Sequence, residues 1–444
     1  MLNLLCLILV FQAEPSKVGF EYLTSPSFNS PTFSLKAWNN LYQQWGLQNP
    51  PSASENKGEF WKRYGLLEAP FDNQGIPLGL KLASVPFTFG KVKGIALDCL
   101  ICHSGKLGDS AYLGMGNSSL DLQSFFEDMH SAEGRQGAPT IRFGNTKGTN
   151  EAGAISVFLI GFRNPDLSLR TPWTNLGLND TLYEDVPAWW LLKKKKTMYA
   201  TGGADARSVR SLMQFMMSPI HGPNHFHEVE KNFSKLQSYI LSIQPPKYPH
   251  PIKQDLAAKG RSLFEDRCSR CHGTYGESWT YPNKVIPLPE IGTDPLRFHG
   301  ISKDFGKFYN SSWFSKEKEG WIGDGFKAME TSGYQAPPLD GIWATSPYLH
   351  NGSVPTIYHL LKSSERPEIF SRSFENRLED LDQKSLGWIF NTAKRSDYES
   401  LRNIKIKRLW YDTKNPGQSN SGHTYGDSLR EDERLAVIEY LKTL

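Results

Sequence analysis

The sequence predicts a mainly α-helical protein of two halves behind an extended, loop-rich N-terminal arm. Length is the first observation: 444 residues exceed one small core, so two domains are expected. The second is apolar spacing at three and four residues, which recurs in several segments. The third is a pentapeptide pattern, Cys-x-x-Cys-His, that occurs once on each side of a proline-rich stretch.

Residues 1–13, `MLNLLCLILVFQA`, are apolar but too short for a membrane-spanning helix. They read as the core of a secretory signal ending near Ala13, although the positive n-region is missing apart from the amino terminus. Export to the periplasm or beyond is the expectation, with a lipid anchor at Cys6 as the alternative. No later stretch reaches the roughly 18 apolar residues of a span. Residues 14–90 are rich in Pro, Ser and Asn and read as the arm, with one short helix in `LKAWNNLYQQW`.

The first half, 91–242, contains `DCLICHSG` at 98–105. A helix follows in `SSLDLQSFFEDMHSA`, with Ser118 or Ser119 as its N-cap, and another is expected in `ARSVRSLMQFMMS`. Residues 243–255, with four prolines, read as the linker. The second half, 253–444, opens on a helix that runs into `RCSRCHGT` at 267–274. It closes on `LREDERLAVIEYLKTL`, whose Leu435, Ile438, Leu441 and Leu444 predict an amphipathic helix.

Hydrophobic residues at 39% and charged residues at 22% suit a globular chain. A net charge of +4 gives no basic stripe for nucleic acid, and the Lys193–Lys196 run is too local to supply one.

Four of the five cysteines lie in the two motifs. In each, the paired thiols can form thioethers to the vinyl groups of a porphyrin, and the adjacent imidazole can ligate its iron. One motif alone would also suit a redox dithiol or half a zinc site. Zinc is disfavoured because both motifs carry the His, and because Cys102 and Cys268 are 166 positions apart. Two covalent haem c groups are therefore expected, on Cys99, Cys102 and His103, and on Cys268, Cys271 and His272. A haem ligated on both faces favours electron transfer, whereas an open face lets it meet dioxygen or peroxide. His225 and His227 in `NHFHEVE` lack a third metal ligand nearby in sequence.

The stretch `YQAPPLDGIWATSPYLHNGSVPTIYHLL` (334–361) resembles the bacterial dihaem cytochrome c peroxidase superfamily, in particular its rubber-oxygenase-like branch. `DVPAWWLLKKK`, `LDLQSFFEDM` and `NSGHTYG` support the likeness, which extends from about residue 60 to the end. The resemblance implies two cytochrome c-like domains, one haem being the reaction centre and the other storing or relaying electrons. No Met follows Met329, so the peroxidases' Met ligand after `PYLHNGS` has no counterpart. A bis-His second haem is implied instead, with His423 as first choice of partner for His272 and His350 as second. A structural His350, bonded to a haem propionate or the domain interface, is the alternative.

The stretch from Ser104 to Met129 has no His, so the distal His of the peroxidases is missing after the first motif. Met115 and His130 are the nearby alternatives, and His103 is expected as that haem's one protein ligand. Trp189 and Trp190 are the implied inter-haem relay, with Trp343 as second choice and Lys193 as a possible propionate partner. A distal acid–base group has no match. The expected function is an exported dihaem oxidoreductase that reduces peroxide with electrons from a redox protein or small donor. A dioxygen-dependent oxygenase and a non-catalytic electron-transfer cytochrome are the alternatives.

Overall fold

The computed structural model describes residues 14–25, 27–51, 59–87, 90–149, 152–177, 183–300, 302–317 and 326–444. The expected signal, with Cys6, lies outside the described residues.

The N-terminal arm carries more regular structure than its composition suggests. Helix α1 (Pro15–Thr24) starts at a proline, whose fixed φ suits the first helical turn. Strand β1 (Phe33–Ser34) leads into α2 (Leu35–Asn40), capped by the Ser34 hydroxyl, which accepts from the Ala37 N–H. Strands β2 (Leu80–Phe87) and β3 (Gly90–Leu97) form an antiparallel hairpin, and β1 pairs with β3 on its open edge. Composition underestimated this region because its apolar residues pack against distant parts of the chain. Leu23 and Phe28 share one core with Phe226 and Phe233.

A second hairpin, β4 (Ser104–Leu107) with β5 (Ser110–Leu113), follows the first motif directly. Helix α3 (Leu122–Ala132) is capped by Asp121, which accepts from the Ser124 N–H, rather than by Ser118 or Ser119. The expected helix near 206–218 is a short helical turn over Val209–Met213, extended by a 3₁₀ turn over Gln214–Met216. Helix α4 (Pro223–Ser242) then packs along α1. At Gly19 a Cβ would lie 2.0 Å from the Lys235 carbonyl oxygen, so only glycine permits this approach.

After the linker, α5 (Gln254–Arg267) runs into the short α6 (Ser269–His272). The terminal helix α7 (Glu431–Leu441) crosses α5 at Gly260, where a Cβ would lie 1.8 Å from the Ala436 carbonyl oxygen. Helix α7 is not amphipathic. Ala436, Val437, Ile438 and Leu441 are buried, but so are Arg434 and Glu439 on other faces. Arg434 donates to the Leu361 and Leu429 carbonyls, and Glu439 pairs with Lys442 at 2.7 Å. The described chain contains no helix long and apolar enough to cross a membrane.

Candidate haem cavity

The second motif continues a helix. Cys268 caps α5, and the Cys271 and His272 N–H groups both donate to the Cys268 carbonyl. This turn places Cys268, Cys271 and His272 along one cavity of about 400 Å³. The His272 Nδ1 lies 2.8 Å from the Pro337 carbonyl oxygen. A carbonyl can only accept, so the ring proton sits on Nδ1 and Nε2 is left as a ligand atom.

His423 lines the same cavity, its ring centroid 6.2 Å from that of His272. Two imidazole nitrogens, each about 2 Å from one metal ion, would put the centroids about 6 Å apart. The loop that delivers His423 is tightly built. Its N–H donates to the Ile291 carbonyl, and its φ is +47°, in the left-handed region that few non-glycine residues adopt. Arg366 donates to the carbonyls of Asn420, Gly422 and His423 and holds this backbone in place. Burial pushes the His423 imidazole down to about 4, helped by His272, and lowers His272 as well. Both shifts favour the neutral imidazole, the form that can ligate a metal. The thiols, the oriented imidazole and the opposed imidazole fit a covalent haem here.

The first motif is arranged differently. Cys99–Ile101 form one 3₁₀ turn, capped by Asp98, which accepts from the Leu100 N–H at 2.8 Å. Asp98 lies 3.3 Å from the buried Lys81, whose ammonium also donates to the carbonyls of Leu23 and Ser25. His103 lines the cavity shared with the second motif, and its ring stacks on Trp189 at 4.8 Å and 22°. Burial pushes its imidazole down to about 4, opposed by the Pro187 carbonyl. The His103 Nδ1 has no hydrogen bond among the described residues, so that carbonyl sits outside bonding geometry. Cys99 and Cys102 are not among the residues lining the cavity. Cys99 packs beside the core of Leu78 and Leu100, and Cys102 lies in the core of Leu120 and Val186. Burial pushes both thiols up to about 12. The fit to haem is therefore complete at the second motif and partial at the first.

The other expected residues separate clearly. Trp189 faces the cavity, whereas Trp190 donates to the Asp340 carbonyl at 2.7 Å and meets Tyr112 edge-on. Trp343 donates to the Pro246 carbonyl in the core. Met115 is buried in the Trp190 cluster, and His130 lies on the last turn of α3. His350 lines the cavity, stacked on Tyr334 at 4.0 Å, and its Nε2 is buried without a hydrogen bond. Lys193 donates to Gln244, outside the cavity. His225 stacks on His221 at 3.6 Å and bonds the Phe28 carbonyl. No group of three metal-ligating side chains occurs among the described residues.

An internal repeat builds this cavity, and simple inspection of the sequence misses it. Strand β6 (Thr197–Met198) pairs with β7 (Ala204–Asp205) around a loop with Tyr199 at φ +69° and Gly202 at +70°. Tyr348 pairs with Val354 around a loop with Leu349 at +66° and Gly352 at +72°. The two loops are 150 residues apart. They are also exchanged between halves. The Gln335 N–H donates to the Ala200 carbonyl, and the Asp185 N–H donates to the His350 carbonyl, both at 2.7 Å. Both pairs, 185 with 335 and 200 with 350, are related by that same spacing. Pro187 and Pro337, beside His103 and His272, are related in the same way. Backbone conformation is repeated while side chains diverge. The twin Gly positions and the twin prolines were the available signal.

A family model described as RoxA-like, cytochrome c-like matches residues 333–371, which include the second loop and Pro337. The match supports the rubber-oxygenase-like resemblance, and a cytochrome c-like stretch implies covalently bound haem c. Two proteins of Sinorhizobium fredii (strain NBRC 101917 / NGR234) are similar. One, the uncharacterized protein y4iJ, is 32% identical over 266 residues, covering 46% of this chain and 42% of that protein. The other, the uncharacterized protein y4iM, is 26% identical over 298 residues, covering 58% of this chain and 64% of that protein. The chain thus spans less than half of the first relative's length and under two thirds of the second's.

Proposed function

We propose that the protein is an exported dihaem c-type oxidoreductase. In this reading two cytochrome c-like halves, 91–242 and 253–444, hold one haem each around the shared cavity. His272 would hold the haem that serves as the electron store, and His103 the haem that supplies the peroxide-reducing chemistry, with electrons from an external donor. The observation that carries the reading is the opposed pair His272 and His423 beside a His103 that is stacked on Trp189. Bound haem would supply a redox-active iron at each histidine. The chain's own residues set the rest. The Pro337 carbonyl keeps the His272 proton on Nδ1, and Arg366 fixes the loop that presents His423. Trp189 lines the cavity against His103, where an aromatic ring can relay an electron, whereas Trp190 ties the first half to Asp340.

A dioxygen-dependent oxygenase is the second reading, favoured by the RoxA-like match at 333–371. Optical and EPR spectra of the resting and reduced holoprotein, with and without peroxide, test both. One low-spin haem should vanish in His423→Ala, while the other haem reacts with peroxide. Two low-spin haems that ignore peroxide would leave an electron-transfer cytochrome. Oxidation of an organic substrate with uptake of dioxygen would select the oxygenase.

A further inference from the structure

The four-lysine run at 193–196 is not one solvated face. Lys193 bonds Gln244, and Lys194 pairs with Asp340 at 2.7 Å beneath Tyr275 and Trp279. Lys196 is exposed. Lys195 alone of the four lines the cavity. The cause is the 3₁₀ turn over Trp189–Lys194, which Lys195 closes by donating its N–H to the Leu192 carbonyl. Side chains three apart eclipse on such a turn, so Trp189, Leu192 and Lys195 share the face toward the cavity. The repeat shows the same face 150 residues on, as Leu339, Ile342 and Thr345. The first half therefore puts an ammonium where the second puts a hydroxyl.

Among the described residues, no hydrogen bond or ion pair reaches the Lys195 ammonium. Burial pushes it down to about 8, opposed by Glu184. Glu184 makes its ion pair with Arg297, at 3.0 Å. The Lys195 side chain is half-buried, and a charge partly withdrawn from water is stabilised by an anion beside it. A haem brings two propionates into the cavity that its iron ligands define.

We propose that Lys195 binds a carboxylate within the cavity, and that this carboxylate is a propionate of haem held there. The assignment rests on the haem reading above. The lysine also adds a positive charge beside the cofactor, which favours the reduced iron.

The test is redox titration of the holoprotein carrying Lys195→Met, with Lys195→Arg as the charge-conserving variant. Lys195→Met should shift the midpoint potential of at least one haem to more negative values, at an unchanged haem-to-protein ratio. Lys195→Arg should stay near wild type. If the Met variant does not fold, Lys195→Gln is read in the same way. Potentials unchanged in the neutral variant would overturn the assignment alone. A spectral change that benzoate produces in wild type but not in Lys195→Met would point to a carboxylate from outside and overturn it too. Wild-type protein without covalent haem would remove both this assignment and the function beneath it.

Discussion

At residues 267–274 the Cys-x-x-Cys-His motif continues a helix, whereas at 98–105 it leaves a β-hairpin through a single 3₁₀ turn. The helical version presents both thiols and the imidazole to one cavity. The turn version presents its imidazole there and packs its thiols into apolar cores on either side. Identical residue spacing thus yields two different presentations, because each motif inherits the direction of the element before it. Helix α5 is fixed against α7 by apolar contact, and its end points at the cavity. The first motif is fixed by the buried Lys81 and Asp98, a polar tether to α1.

The most decisive break of this comparison replaces the cysteines pairwise. Cys268→Ala with Cys271→Ala should halve the covalent haem, read by pyridine haemochrome absorbance per chain. Cys99→Ala with Cys102→Ala should remove the other half. Full haem content in the second variant would show that the first motif is a structural dithiol and that the difference in presentation is functional.

Next in size is the packing beneath the second motif. Gly260→Leu forces a side chain into the Ala436 carbonyl, so α5 and α7 must separate. Overpacking of this kind costs about 1–3 kcal/mol, visible as a fall in Tm. A smaller perturbation separates the two tryptophans. Trp189→Leu should slow electron equilibration between the haems and alter the spectrum of the haem at His103, whereas Trp190→Leu should lower stability and leave that spectrum alone. Equal kinetic effects from both would remove Trp189 from the path.

The legible part of this molecule was local chemistry. The two motifs and the helix entering the second are named by residue type and short-range pattern; His423 as a partner for His272 came from the family resemblance, and the structure brings the two rings opposite each other. What sequence reading missed depends on tertiary packing. Strand β2, at the end of the arm, and strand β3, at the start of the first half, show no clear alternation, since their order comes from pairing with each other and, for β3, with β1. Asp121, and not an earlier serine, caps α3 because Asn117 already uses its side chain to accept from the Ser119 N–H and shape the preceding turn. Lys195 could not be told from its three neighbours without the 3₁₀ period that turns it inward.

The smallest effect concerns how the first half holds its helix α3. Arg408 donates to both carboxylate oxygens of Glu127, at 2.8 and 2.7 Å, and Lys405 reaches Asp128 at 2.6 Å. The far end of the chain thus clamps the first half by charge, where the second half relies on α5 and α7. Partial burial raises the Glu127 carboxyl, but the hydrogen bonds from Arg408 and Gln123 outweigh it and leave the group below its ordinary 4.5. A carboxyl lowered in the folded state adds stability that is fully present above 4.5 and is lost as pH falls below it. Glu127→Gln should therefore cost roughly 0.5–1 kcal/mol at pH 7, since the pair is partly solvated. The Tm difference from wild type should shrink in 1 M salt, where screening acts over about 3 Å, and should close in acid. Gly260→Leu should lose as much stability in salt as without it. A Glu127→Gln deficit that ignores both salt and acid would show that the first half, too, is held by packing, and the contrast between the halves would then lie in the motifs alone.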